Sequence, residues 1–417
     1  MKKQILVIIA LAFGLLTSKA QTVKLESILN EIQQSNPTLK MFDAEIRSSD
    51  EKAKGARNWE APTVGTGLWM TPYNTKYWKQ GDNGAFGMGQ YQISGEQMFP
   101  NKKRLDAEEI YLKSISSSDK ERKNASQNLL VAAAKKNYYE WIIIKKKLSI
   151  LDQDEKLLNF MIQSAEIRYK NGMGKINAYY KAKAALGNIQ NIRLVFDNEI
   201  KQRRIMLNTL MNRDKLQDFD IDTAYTIKNY STVTFDSTTF INARSDIKAM
   251  EKDIQINYLQ QNAEKLKLNP EFGLRYEHMF GFGGLPMQYS LLGTVKIPMA
   301  KWSSKTTKAN VESLKWKEES LNQQKKIIVN ESTGMAYGIQ NDIELKMKQI
   351  KLFDENIIPA LRKNFQTMQL GYEQNTEELF TLFDAWETLN MTQLEYLQQL
   401  QDLLLMQVEL ERILEIK

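Results

Sequence analysis

From Leu379 onward the apolar positions fall into a strict order. Leu379, Leu382, Trp386, Leu389, Gln393, Tyr396, Leu400, Leu403, Gln407, Leu410 and Leu414 follow in steps of three and four, and all but the two glutamines are apolar. Such a seam predicts a long helix packed lengthwise on other helices. Upstream, Ile343, Met347, Ile350, Ile357, Leu361, Phe365, Met368 and Tyr372 form a second stripe of the same kind. The turn-forming run Gly371–Thr376 separates the two. The pattern predicts a helical hairpin with its tip near Asn375.

The same reading along the rest of the chain gives two repeats. Residues 21–214 form the first. In it, helical pattern covers 25–60, with Pro37 at the start of a second helix, where proline fits best. A glycine- and aromatic-rich stretch predicts strands at about 63–73 and 85–99, joined by a polar loop at Gln80–Gly84. Helical pattern then returns for about 101–170, roughly 100 Å at ~1.5 Å per residue. YKNGMGKIN breaks it, and helix resumes over about 178–212. A polar, Asp- and Thr-rich linker occupies 215–239. The second repeat, 240–417, gives a helix to 268, strands over about 270–298, and long helices over about 300–370 and 376–417. Pro62 corresponds to Pro270, Phe99-Pro100 to Ile297-Pro298, Tyr169 to Tyr372, Ala182 to Ala385 and Gly172 to Asn375. Glycine and asparagine both tolerate the left-handed conformation that ends a helix.

In the second strand pair, Phe272, Leu274, Tyr276 and Phe280 alternate with Gly273, Arg275 and Glu277. Tyr289, Leu291, Val295 and Ile297 likewise alternate with Gln288, Ser290, Thr294 and Lys296. Period-two alternation over about ten residues, with aromatics near the ends, fits transmembrane barrel strands; a soluble sheet packed on a helix gives the same periodicity. Glycines at 65, 67, 87, 89 and 95 blur the faces of the first pair. Four strands cannot close a barrel, and an open edge in lipid leaves backbone groups unpaired. A membrane location therefore requires several chains to share one barrel.

Composition narrows the chemistry. The 417 residues are 42% hydrophobic and 26% charged, enough to bury a large core, and eight prolines suit long helices. The absence of cysteine excludes disulfides, thiolate chemistry and a lipid on an N-terminal cysteine. Residues 1–20 read as a secretory signal peptide: Lys2 and Lys3, an apolar run from Ile5 to Leu16, then Ser18-Lys19-Ala20 before Gln21. Its removal takes the formal charge from +7 to +4, too mild to argue for nucleic acid. No later stretch is apolar enough for a transmembrane helix. No triad, zinc motif or P-loop occurs, GFGG at Gly281–Gly284 reads as a hairpin loop, and no cofactor or catalysis is expected. Met70, Met88, Met98, Met279, Met287 and Met299, in or beside the strands, could suit soft monovalent metals, but methionine is also a common core filler. His278 reads as a girdle or loop residue.

The chain resembles the outer-membrane efflux proteins of the TolC family. The likeness rests on IIPALRKNFQTMQLGYEQNTEELFTLFDAWETL, on YKNGMGKINAYYKAKAAL, and on the strand-to-helix pieces QMFPNKK and VKIPMAKWSSK. It implies a mainly α fold with a transmembrane β part: a homotrimer with a shared 12-stranded barrel in the outer-membrane lipid and a long α-helical tube across the periplasm. Such a duct passes small molecules (drugs, detergents or metal ions) from an inner-membrane pump, such as an RND transporter, through a periplasmic adaptor or membrane fusion protein. Type I protein secretion is the alternative within the family, and a periplasmic coiled-coil scaffold or adhesin the alternative outside it. The family closes its aperture with acids after the tip tyrosine. Here Asp384, read on the seam side of its helix, holds one such position and Thr381 the other, leaving Glu377, Glu378 or Glu387 to supply further charge. The resemblance implies adaptor docking at Asn171, Gly172, Gly371, Tyr372 and Asn375. Phe272, Leu274, Tyr276, Tyr289, Leu291 and Val295 are expected to face lipid.

Overall fold

The computed structural model describes residues 22–173, 175–230 and 242–416. The expected signal peptide and residues 231–239 of the linker lie outside them. The elements, in chain order, are β1 (Thr22–Val23), α1 (Leu25–Ser35), α2 (Pro37–Lys54), β2 (Thr63–Trp69), β3 (Gln90–Phe99), α3 (Lys102–Lys170), α4 (Ile176–Leu210) and β4 (Asp220–Ile221). They continue with α5 (Ser245–Leu266), β5 (Glu271–Gly281), β6 (Gln288–Lys296), α6 (Lys305–Leu352), α7 (Ile358–Glu373) and α8 (Leu379–Leu414). No described helix is long and apolar enough to cross a membrane. The chain divides into two compact units: Met1–Met41, Lys123–Ser245 and Val329–Lys417 form one, and Phe42–Arg122 with Asp246–Ile328 the other.

The first unit is built from helical hairpins. Leu382, Trp386, Leu389, Leu400, Leu403, Gln407, Leu410 and Leu414 of the α8 seam are all buried. Near the turns, they meet Leu151, Leu158 and Met161 of α3 and Ala182 and Ile189 of α4 in one apolar cluster with Tyr372. Toward the C-terminus, α8 packs with Ile343 and Ile350 of α6 and Ile143 of α3. A third cluster sets Ile28 and Ile32 of α1 against Tyr138, Trp141 and Ile142 of α3 and Leu207 of α4. The long helix expected over 300–370 is interrupted by a π-turn at Phe353–Ile357. Its cause is Pro359, which has no N–H and whose ring clashes with the carbonyl four residues back. The wider turn absorbs this, with Ile358 N–H bonding the Phe353 carbonyl.

One buried charge network ties the segment 222–230 to α8. Glu411 accepts from Lys135 (2.7 Å), Lys228 (2.6 Å) and the Tyr230 hydroxyl (2.6 Å). Burial alone pushes the Glu411 carboxyl up, but these donors outweigh it and hold the group below its ordinary range.

In the second unit the four longer strands form one antiparallel sheet in the order β2-β3-β5-β6. The strands of the first pair end earlier than the sequence suggests. Residues 70–89 are instead a long connection containing a 3-10 turn at Thr75–Trp78, which the Asn74 side chain caps. It folds onto the β5–β6 loop: Gly87 N–H bonds the Gly283 carbonyl at 2.8 Å, and the Trp78 and Phe282 rings stack at 5.2 Å. A Cβ on Gly87 would lie 2.8 Å from the Gly283 Cα, so this contact requires glycine. Of the glycines that blur the pattern, Gly87 and Gly89 belong to this connection, while Gly65, Gly67 and Gly95 lie within β2 and β3.

Candidate functional site

The register settles the two faces of the sheet. Leu68 pairs with Tyr91, Tyr91 with Phe280, Gly95 with Tyr276, and Tyr276 with Leu291. Because side chains alternate, Val64, Leu68, Tyr91, Ile93, Phe99, Phe272, Leu274, Tyr276, Phe280, Tyr289, Leu291 and Val295 share one face, and every one of them is exposed. The other face carries Gln92, Ser94, Glu96, Arg275, Glu277, Ser290 and Thr294, with Trp69, Met98, Met279 and Leu292 among them. One exposed apolar face on strands of up to 11 residues, with open edges at β2 and β6, meets the alternation that a transmembrane barrel strand requires.

The two hairpin tips share one backbone design. At the first, Gly172 N–H bonds the Tyr169 carbonyl (3.0 Å) and Met173 N–H the Arg168 carbonyl (2.8 Å). At the second, Asn375 N–H bonds the Tyr372 carbonyl (3.2 Å) and Thr376 N–H the Gly371 carbonyl (2.8 Å). Gly172 and Asn375 both take positive φ, 71° and 59°, so each helix ends in a left-handed cap that satisfies its last carbonyls. At Gly371 a Cβ would lie 2.6 Å from the Glu377 side chain, which folds back over it. Asn171 is exposed and returns its side-chain amide to the Ile167 carbonyl at 2.9 Å.

The side chains differ. Tyr372 is 1% exposed and Tyr169 49%. Arg168, from the first hairpin, donates to the Tyr372 carbonyl and to Asn375 Oδ1, both at 2.7 Å, and its guanidinium lies 4.0 Å from the centre of the Tyr372 ring. Ser164 Oγ and the Tyr372 hydroxyl are 2.7 Å apart. Ser164 and Arg168 were not singled out from the sequence. Their i, i+4 spacing on α3 was visible, but their partner, some 200 residues on, was not. Between the tips lies a groove of about 820 Å³. Arg168, Lys175 and Asn177 line it from the first hairpin, and Tyr372, Asn375, Glu377 and Phe380 from the second.

Asp384 does not lie on the buried seam, as read from the sequence. It falls between Leu382 and Trp386, and at 100° per residue it points away from both; it is exposed. Thr381, Asp384 and Glu387 form an exposed polar row on α8, with Glu378 exposed at the helix start and Glu377 half-buried. The acid that does enter the seam is Asp154 of α3, 7% exposed. Its Oδ1 accepts from Trp386 Nε1 at 2.7 Å, and its Oδ2 has no partner. Burial pushes this carboxyl from 3.8 to about 6, opposed by the indole hydrogen bond.

Among the described residues no cluster of His, Cys, Asp and Glu has the form of a metal site. His278 stands on the apolar sheet face beside Phe280, ring centres 4.4 Å apart.

Residues 28–213 match the family described as outer membrane efflux protein. No curated protein matches the chain. Among solved structures, the outer-membrane channel OprN aligns over 94% of this chain and 89% of its own, at 14% identity and TM-score 0.74. The outer membrane protein VceC of Vibrio cholerae aligns over 94% and 95%, at 13% identity and TM-score 0.73. The CmeC outer membrane channel of Campylobacter jejuni aligns over 94% and 85%, at 11% identity and TM-score 0.72. The chain shares the fold of these outer-membrane channels.

Proposed function

We propose that three copies of the chain join their sheets edge to edge into one 12-stranded barrel in the outer membrane. The observation that carries this reading is the sheet itself: a continuous exposed apolar face beside two open edges. Unpaired edges are tolerated in water but not in hydrocarbon, so closure by further copies supplies the missing backbone partners. Exposure of Phe272, Tyr276, Tyr289 and Val295 favours a channel over a periplasmic scaffold, which would bury them against protein.

In this assembly the helices line a periplasmic passage, and the tips meet a periplasmic adaptor that couples the duct to an inner-membrane pump such as an RND transporter. The groove between the tips supports the docking role. The exposed row Thr381, Asp384 and Glu387 supports a cation-favouring aperture, because charged rings at a constriction select by sign. The duct is passive; small molecules pass through it on energy supplied by the pump.

The native chain has no cysteine, so one cysteine placed on β2 and one on β6 report edge pairing cleanly. Oxidation in membranes should give cross-linked dimers and trimers. A ladder that stays monomeric contradicts the shared barrel. Loss of the gene should raise susceptibility to small toxic compounds; retention of a secreted protein with unchanged susceptibility would point to protein secretion instead.

A further inference from the structure

The two strand-to-helix junctions carry a feature that a barrel wall does not require. At the end of β3, Lys102 and Lys103 follow Phe99-Pro100. At the end of β6, Lys301, Lys305 and Lys308 follow Ile297-Pro298, with no acid anywhere between Lys296 and Lys308. Each of these five lysines is exposed, and none has an acidic partner among the described residues. The neighbouring Lys296 and Arg104 are excluded, because both pair with Glu271 on the polar side of the sheet.

Large apolar side chains stand among the lysines. Trp302 is 88% exposed, and Ile297 and Met299, which precede it in the chain, are exposed, as is Trp59. Trp59 packs edge-on against Phe99, ring centres 5.5 Å apart. Ile297, two residues beyond Val295, and Trp59, against Phe99, continue the apolar sheet face at its Phe99–Phe272–Val295 end. A tryptophan this exposed, flanked by unpaired lysines and directly beyond a lipid-type surface, has the composition of a membrane interface: the indole sits at headgroup depth and the lysine stems reach the phosphates. The opposite strand ends carry exposed aromatics as well, Trp69, Tyr73 and Tyr77, but fewer lysines, Lys76 and Lys79 with Asp82 three residues on, and no charge in the loop Phe282–Met287.

We propose that these junctions form a basic, tryptophan-bearing collar that binds anionic glycerophospholipid headgroups at the helix-side surface of the membrane. The proposal rests on the barrel reading and adds to it a lipid partner of defined charge. Continuity with the apolar face selects a lipid over a soluble acidic protein. Phosphatidylglycerol is the simplest lipid with the required charge. The collar holds the chain at one depth in the bilayer through side chains alone.

The test uses the full-length protein reconstituted into phosphatidylcholine vesicles containing a trace of spin-labelled phosphatidylglycerol or phosphatidylcholine. Electron spin resonance reads the fraction of each label slowed by the protein. The expected result is a preference for phosphatidylglycerol of about fivefold, weakened by salt, since a surface lysine contributes about one such factor. Lys301→Gln/Lys305→Gln/Lys308→Gln should remove most of that preference while the slowed phosphatidylcholine fraction persists, which shows the variant is inserted. The corresponding arginine variant should keep it. Equal slowing of both labels in the wild type, or unchanged preference in the glutamine variant, overturns the collar and leaves the barrel standing. No slowed fraction with either label overturns the barrel reading and the collar with it.

Discussion

The two hairpin tips have the same backbone and different locks. Each ends its helix with a left-handed residue, Gly172 or Asn375, and the same pair of backbone hydrogen bonds. The interval from Gly172 to Asn212 is repeated from Asn375 to Glu415, and all four residues have positive φ. Yet the second tip buries its tyrosine under Arg168 and Ser164, while Tyr169 at the first is half exposed. Turn geometry is thus the part of the repeat that the chain keeps, and side-chain stapling the part that distinguishes one hairpin from the other. The sheet has the same character: both β-hairpins present one apolar face, the first through Val64, Leu68, Tyr91, Ile93 and Phe99 among glycines, the second through alternating aromatic and aliphatic side chains from Phe272 to Val295.

This comparison can be broken at several points. The largest effect is expected on the sheet. Tyr276→Arg places a charge on the second hairpin's apolar face and should cost about 2–4 kcal/mol, whereas Ser94→Arg, on the polar face of the first, should be nearly neutral. Yield of protein that resists carbonate extraction of membranes measures both, and equal yields would dissolve the distinction between the faces.

Next comes the staple. Arg168→Ala removes two charge-assisted hydrogen bonds and a cation–π contact, and should loosen the second tip by about 2–3 kcal/mol. Amide exchange should quicken around 370–378 and stay unchanged around 171–173. Arg168→Lys should not restore protection, because one ammonium cannot reproduce the planar contacts. Equal quickening at both tips would show that Arg168 acts on the whole bundle instead.

Asp154 gives a pH-dependent comparison. Its carboxyl titrates higher in the folded chain, at about 6, than its ordinary 3.8. The protonated form is therefore favoured by folding: its stabilising contribution is complete below pH 4 and lost as pH rises through 6. Asp154→Asn keeps an acceptor for Trp386 and should raise stability at pH 7 by about 2 kcal/mol while flattening the slope between pH 4 and 6. Denaturant unfolding across that range checks it; an unchanged slope would mean Asp154 is solvated.

The smallest effect is expected at the turns themselves. Gly172→Val and Asn375→Val each force a β-branched residue into the left-handed region, at about 1–2 kcal/mol. Efflux should suffer more than assembly, and cells expressing either variant should lose tolerance to toxic small molecules while trimer yield holds. Unchanged tolerance in both would remove the tips from the functional account.

How far the sequence reveals this follows from what each signal depends on. The α8 seam and the turn positions are local, set by three-and-four spacing and by residues that accept positive φ, and they were legible. The faces of β2 and β3 were not, because glycine has no side chain to show alternation; pairing across to Tyr276 and Phe280 decides them. Residues 70–73 and 85–89 read as strand because aromatics and glycines are common in strands, yet they belong to the connection that folds onto the β5–β6 loop. Asp384 was placed on the wrong face by its nearness to Trp386, since two residues along a helix is a turn of about 200°. The Arg168–Tyr372 and Asp154–Trp386 contacts join residues more than 200 positions apart, and no local pattern carries them.

The most direct test of the channel is electrical. Full-length protein added to a planar lipid bilayer should give discrete conductance steps of uniform size, selective for cations. Asp384→Ala should keep the steps and reduce the selectivity, which separates the aperture from the duct. A bilayer that stays silent in the presence of correctly folded protein, together with release of the protein from membranes by carbonate, would contradict the account.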